Sequence, residues 1–373
     1  MHFLSEQSQT IIKTYNDLHQ IAEPSWSEKK TSYYIYQFLK RLGMEIKTFD
    51  NHYGIVAEIP GEIEEVVACR ADMDALVQEV DGVVQPNHSC GHDAHSTMVM
   101  YAALAIAKSN IQPKRTIRFI FQPAEEKAGG AVQMMKDGAL ENVKTLFGIH
   151  LRPHMEVPDG KASAVIIHGS SVNLTGKIKG VQAHASRPEE GINAIEAAAF
   201  VVQCLKEIHL DTSESFSIKM TQLQTGGNAS NVIPESATFT LDLRAQTNEA
   251  MDKLKEKAEL ILEHVSKLSG TSIDWKFEEF VPAASPNENA MKLAQEAIEE
   301  ILGQENFVPV CISKGGEDFH FYTFEHPEIE ATMIGLGCDL RPGLHHPKMT
   351  FNVNSLINGA QILTKALIKA AER

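Results

Sequence analysis

Apolar positions recur at helical spacing through residues 5–21 and again through 27–42, where Gly43 follows as a stop signal. Short β-branched or apolar runs come next, at 55–59, 66–70, 116–121 and 146–150, separated by helix-patterned stretches such as 95–108. Strands alternating with helices predict an α/β sheet. From residue 172 the texture changes to more polar, alternating runs at 172–178, 216–223 and 237–243, interleaved with helical patterns near 193–208 and 248–268. That order predicts a smaller β-α-β-β-α-β unit with a half-exposed sheet. After Pro282 and Pro286 the first texture returns, with a helix over 288–302, a strand over 332–335 and an amphipathic helix from Ser355. The chain reads as a discontinuous main domain, 1–168 and 282–373, interrupted by an inserted domain at 169–281.

Composition narrows the function. With 34 Lys and Arg against 49 Asp and Glu, the net charge of −15 repels polyanions, which excludes a nucleic-acid-binding role and disfavours anionic membranes. The longest apolar run, residues 98–107, is half the roughly 20 needed to span a bilayer, so it reads as part of a buried helix. The first residues, Met1 to Glu6, carry no basic and apolar leader pattern. Five cysteines, odd in number and without C-x-x-C spacing, fit a reducing compartment, and the cytoplasm is the expected location.

Four short clusters concentrate metal-type donors. Cys90-Gly91-His92-Asp93-Ala94-His95 offers a thiolate and an imidazole two residues apart, able to converge from an extended turn; a buried cysteine beside a capping histidine is the other reading. Gln122-Pro123-Ala124-Glu125-Glu126 follows the apolar run at 116–121, and adjacent carboxylates there can divide labour between binding a metal and moving a proton, or simply be solvated charge. Gly148-Ile149-His150 ends another apolar run, and His345-His346-Pro347 lies near the C-terminus. A lone histidine at such a position is more often a packed residue than a ligand. Together, however, one thiol, several imidazoles and two carboxylates can assemble a two-metal site with ions ~3.5–4 Å apart. The mixed N/O/S donor set suits zinc and also accepts manganese, cobalt or nickel. No G-x-S-x-G, Walker-type lysine loop or G-x-G-x-x-G is present, so serine-hydrolase, P-loop and dinucleotide readings lack their motifs. Thiol catalysis by Cys90 with His92 would leave little room for a substrate between them.

Eight segments in order strengthen the metal reading: Cys69-Arg70-Ala71-Asp72-Met73-Asp74-Ala75-Leu76, His88-Ser89-Cys90-Gly91-His92-Asp93-Ala94-His95, Gln122-Pro123-Ala124-Glu125-Glu126, Gly148-Ile149-His150, Ala183-His184-Ala185, Asn231-Val232-Ile233-Pro234, Gly315-Gly316-Glu317-Asp318-Phe319 and Leu344-His345-His346-Pro347. Across nearly the whole chain they resemble the di-metal amidohydrolases that include aminoacylases, hippurate hydrolases and plant auxin-conjugate hydrolases, related to glutamate carboxypeptidases. The resemblance implies a catalytic domain of the di-zinc exopeptidase type, a mixed sheet flanked by helices, with an inserted α+β ferredoxin-like domain serving as lid and dimerisation surface. It implies that Cys90 bridges two divalent ions, with His92, Glu126, His150 and His345 completing the ligand set, and that Glu125 is the general base. His345 is preferred to His346 because the family motif reads histidine, small or polar residue, proline. His184 matches a histidine that stabilises the oxyanion, often from a partner subunit. Asn231 and Arg244 match positions that hold the substrate carboxylate, while Asp72 and Asp74 match acids that orient a metal-bound imidazole through its other nitrogen. Glu317 and Asp318 lie in a matched segment without an assigned role. Val77 stands where relatives usually have proline and Asn87 where methionine is common, both outside the implied ligand set. The expected reaction is hydrolysis of an N-acyl amino acid or related small amide. A dipeptidase or carboxypeptidase, and a metal-binding relative without turnover, are the alternatives.

Overall fold

The computed structural model describes every residue except 1, 110, 212–214 and 227–228. The chain up to Ile167, Ser285–Ser313 and Asp318–Arg373 form one compact unit, and His168–Ala284 with Lys314–Glu317 form a second. The four residues 314–317 group with the second unit although they follow the Ser285–Ser313 segment of the first.

The first unit is built on an eight-stranded sheet in the order Glu45–Thr48, Ile55–Ile59, Arg115–Gln122, Ile63–Asp72, Val143–Pro153, Glu330–Leu340, Ala162–Ser163, Phe307–Val308. The four strands from Arg115–Gln122 to Glu330–Leu340 are mutually parallel, whereas Ile55–Ile59 runs antiparallel to both its neighbours and Ala162–Ser163 antiparallel to Glu330–Leu340, so the sheet is mixed. Residues 66–72 and 117–122 are buried without interruption, as expected for parallel strands covered on both faces. Parallel polarity has a functional consequence. Asp72 pairs with Gln122, and His150 pairs with Gly335, so these residues emerge at one carboxyl edge, where open α/β sheets place their sites.

The pattern predicts a helix from residue 95, and the observed helix is His92–Lys108, buried along all of its first twelve residues. Its polar residues hid the start: Ser96 donates to the Asp72 carbonyl (2.7 Å) and Thr97 to the Asp93 carbonyl (2.7 Å), so these groups are satisfied without water. The turn before it is not extended. Gly91 is left-handed (φ 89°), and a Cβ there would meet Leu151 Cδ1 at 2.9 Å, so only glycine brings Cys90 and His92 this close to the sheet. The helical pattern at 5–21 is two helices, His2–Glu6 and Ser8–Gln20. A hairpin of Leu76–Val80 and Val83–Asn87 had no counterpart in the apolar pattern because its strands are largely exposed; the Asp81-Gly82 pair (φ 51° and 84°) at its tip was the available signal.

The second unit has the β-α-β-β-α-β order, with an antiparallel sheet arranged Phe216–Thr225, Ser236–Ala245, Ser170–Lys179, Ser272–Val281. Val172, Leu174, Leu241 and Leu243 form one core with Val201 and Leu205 of helix Ala194–Leu205 and Leu254 and Leu262 of helix Asn248–Ser269. The first and last strands are neighbours, so the unit leaves where it enters, as an insertion requires. The last strand escapes the sequence pattern because its alternation is interrupted near the bulge at Glu279 and Phe280, the former at φ 53°.

Candidate active site

Donor atoms of Cys90, His92 and His150 lie within 4.8 Å of one another, and so do those of Cys90, Glu126 and His345. Cys90 is common to both triads. Its thiol faces His150 Nε2 at 3.6 Å, and His345 Nε2 is 3.5 Å from Glu126 Oε1. A third triad, Asp72, His92 and His95, also satisfies the spacing. There the donors are already used: His95 Nδ1 bonds Asp72 Oδ1 (2.8 Å) and its Nε2 accepts the Leu151 N–H (3.0 Å). Asp72 therefore holds an imidazole outside the expected ligand set, and Asp74 is the acid that orients His92.

Hydrogen bonding assigns the tautomers. His92 Nδ1 faces two acceptors, the Asp74 carbonyl (2.9 Å) and Asp74 Oδ1 (3.2 Å), so it carries the proton. His150 Nδ1 likewise donates to the Leu151 carbonyl (2.6 Å). Both rings present Nε2 inward. His92 Nε2 is buried with no hydrogen-bond partner, 3.8 Å from Glu125 Oε2 and 3.9 Å from Glu126 Oε1 and Asp72 Oδ2. Those gaps are too long for hydrogen bonds and comparable to the ~3–4 Å between two donors sharing one small ion at ~2.0–2.3 Å. An orphaned imidazole nitrogen, a thiol and carboxylates around one point fit a divalent cation.

The electrostatics agree. Burial raises the Cys90 thiol well above its ordinary range and drives the His150 ring well below its own, so without a cation neither is charged. Burial also opposes charge on His92, yet the Asp72 carboxylate and the hydrogen bond to Asp74 work against it, and the ring lies well above an ordinary histidine: the pocket favours positive charge at Nε2. Burial would raise Asp74 as well, but His92 and Ser25 hold it below the usual carboxylate value.

Glu125 and Glu126 occupy a short 3₁₀ turn, Glu125–Lys127, just past the Arg115–Gln122 strand. Asp74 anchors them, its two oxygens accepting the Glu125 N–H and the Glu126 N–H, both at 3.1 Å. Gly130 closes the turn; a Cβ there would sit 1.7 Å from the Pro123 carbonyl oxygen. Beneath lies a network that gives Asp318 a place. Arg70 bonds Asp72 (2.6 Å), Asp318 (2.8 Å) and Gln122 (2.8 Å), Gln122 donates to Asp318, and Asp318 Oδ2 accepts the Ala131 N–H (3.0 Å). This network was out of reach in the sequence because its members are up to 248 residues apart. His345 takes a left-handed backbone (φ 63°) beside Glu126, whereas His346 Nδ1 accepts the Lys348 N–H (3.1 Å) and serves its own turn.

Three expected residues belong to the second unit. His184 Nε2 and Asn231 Nδ2 are 3.3 Å apart on the ribbon formed by Ala183–His184 and Val232–Ile233, with Ser186 Oγ 2.8 Å from His184 Nδ1. Arg244 lies on the Ser236–Ala245 strand and is engaged by Asp242, with Nη2 to Oδ2 at 2.8 Å and Nε within 3.1 Å of both oxygens. All three side chains are exposed within this unit. A groove of about 500 Å³ on the open sheet face, lined by Lys177, Gln222, Thr240 and Trp275, includes none of them.

The profile of peptidase family M20/M25/M40 matches residues 68–369, a span that contains every one of these candidates. The chain belongs to that family. Within it, the chain is similar to N-acetylcysteine deacetylase of Bacillus subtilis (strain 168), at 29% identity over 377 residues, covering 97% of each chain. It is similar to IAA-amino acid hydrolase ILR1-like 2 of Arabidopsis thaliana at 30% identity, covering 94% of this chain and 83% of the relative. A protein of Rhodococcus jostii (strain RHA1) named as glutamate–cysteine ligase 2-3 matches at 29% identity, and there the chain spans only 46% of the relative. Among solved structures, the Bacillus subtilis YXEP protein, described as a dinuclear metal binding peptidase from the M20 family, superposes with a TM-score of 0.85 at 27% identity, covering 99% of both chains. Among the described residues no helix is long and apolar enough to cross a membrane.

Proposed function

We propose that this M20-family hydrolase is a di-metal amidohydrolase that cleaves the amide bond of N-acyl amino acids, releasing the amino acid and a carboxylate. The observation that carries the reading is the pair of donor triads sharing Cys90, with Glu125 at their rim. Two divalent ions, when bound, polarise the amide carbonyl and lower the pKa of water. Cys90, His92 and His150 would hold one, and Cys90, Glu126 and His345 the other; zinc or manganese suits the mixed donors, with cobalt or nickel acceptable. Glu125 carries no ligand duty in this scheme. Its carboxylate takes the proton of the attacking water and returns it to the departing nitrogen. Asp74 keeps His92 in the tautomer that presents Nε2, and the Arg70 network keeps Asp72 and Asp318 in place beneath. His184 is assigned to the developing oxyanion and Asn231 and Arg244 to the substrate carboxylate, supported by the adjacent His184 and Asn231 side chains and by the carboxylate that Arg244 already grips. A homodimer through the second unit belongs to the same proposal, as does a reducing, cytoplasmic setting, supported by five free cysteines.

The test is amino-acid release from N-acetyl, N-benzoyl and longer N-acyl amino acids, using chelator-stripped protein resupplied with Zn, Mn, Co or Ni. Metal-dependent release from blocked substrates is expected. Release from unblocked dipeptides alone would make the protein a dipeptidase, and no release by folded protein with any metal would overturn the assignment.

A further inference from the structure

The three amides leading into the two glutamates are all received by carboxylates, two by Asp74 and the first by an acid far away in the sequence. Glu28 Oε1 accepts the Ala124 N–H at 2.8 Å and the Trp26 N–H at 2.9 Å. Ala124 (φ 53°) and Trp26 (φ 66°) are both left-handed, a conformation that side chains with a Cβ resist, so one carboxylate oxygen secures two strained residues from separate segments. A polar side chain at the residue before a helix can cap its first amides. Glu28 precedes Lys29–Lys40 but makes no cap bond; the Lys30 and Thr31 amides go instead to Glu23 Oε2, at 2.7 and 3.0 Å. Capping is already supplied, and the fully buried Glu28 side chain is directed to the catalytic turn. The neighbouring Ser25 hydroxyl donates to Asp74 Oδ2 at 2.6 Å, so the 25–28 segment supports both acids that hold the turn.

We propose that Glu28 is a positioning residue for Glu125: by fixing the left-handed Ala124 it sets where the Glu125 carboxylate stands relative to the metal-binding donors. This rests on the assignment of Glu125 as the base. A rotation at Ala124 would swing the next residue, and a displacement of ~1 Å can cost about 100-fold in rate.

The test compares Glu28→Gln, Glu28→Leu and Glu125→Gln in the metal-loaded protein, reading metal stoichiometry, kcat, KM and hydrogen exchange of the 122–128 peptide. Burial, with the nearby Asp74 charge, pushes the Glu28 carboxyl up to about 7, so an uncharged amide that keeps the acceptor oxygen is a close replacement. Glu28→Gln should keep kcat within about threefold and leave exchange unchanged. Glu28→Leu should keep two ions per chain and KM, lose about 100-fold in kcat and speed exchange at 122–128. If Glu28→Leu does not fold, Glu28→Asp, one methylene short of Ala124, should lose about tenfold in kcat. Wild-type kcat or unchanged exchange in the folded Leu variant, wild-type kcat in the Asp variant, or equal losses in Gln and Leu would overturn the proposal. An active Glu125→Gln would instead overturn the base assignment on which it rests, whereas an inactive Glu125→Gln beside a fully active Glu28→Leu would overturn the positioning role alone.

Discussion

In the first unit Cys90, His92 and His150 are buried, and each imidazole has one nitrogen tied to a carbonyl and the other turned inward. In the second unit His184, Asn231 and Arg244 are exposed, His184 lying beside Asn231 and Ser186, and Arg244 engaged by Asp242 of its own strand. The same kinds of polar group thus work under different physics. Where water is excluded, charge interactions strengthen and each polar atom must be matched, so the first set is held in one geometry before any ligand arrives. An exposed pair contributes ~0–1 kcal/mol and fixes little, so in the proposed function the second set would gain strength only once a substrate removed it from water.

The comparison can be broken at either end. The largest effect is expected from Glu125→Gln, which should lower kcat about 10³-fold while two metal ions remain bound; loss of an ion would recast Glu125 as a ligand. Arg70→Met should follow, because it leaves Asp72 and Asp318 buried without their guanidinium. Urea unfolding should show a loss of about 3–5 kcal/mol, and a neutral result would mean the buried network is not what holds the site. For the exposed set, His184→Ala should reduce kcat about 100-fold without moving the melting temperature or metal content, and an unchanged kcat would remove His184 from the machinery. The smallest effect comes from a buried histidine outside the site. His52 Nδ1 accepts the Gly54 N–H (2.9 Å) and Nε2 lies 3.0 Å from Asp137, so the ring is neutral, and burial, against the pull of Asp137, lowers its pKa from 6.5. The unfolded chain then binds more protons below about pH 6.5, so this contribution is complete above that pH and is lost as pH falls through it. Melting curves from pH 7.5 to 5.5 should drop more steeply for wild type than for His52→Gln; parallel curves would refute the linkage.

Residues near one another in sequence were the legible part of the site. Cys90 with His92, and Glu125 with Glu126, announce chemistry because short spacing limits where their side chains can go. The helix Glu288–Leu302 was equally legible, since its apolar face repeats at helical period. The partners that hold those groups were not. Glu28 belongs to none of the sequence clusters, Asp318 is 248 residues from Arg70, and Asp72 and Asp74 look equivalent until one is seen bonded to His95 and the other to His92. Periodicity and local spacing determine which residues are apolar, which can ligate and in what order the elements come. Which polar atom meets which, which tautomer a ring adopts and which nitrogen is left without a partner were decided by tertiary structure alone, because burial forces each polar group to find its match among residues that the chain brings together only on folding.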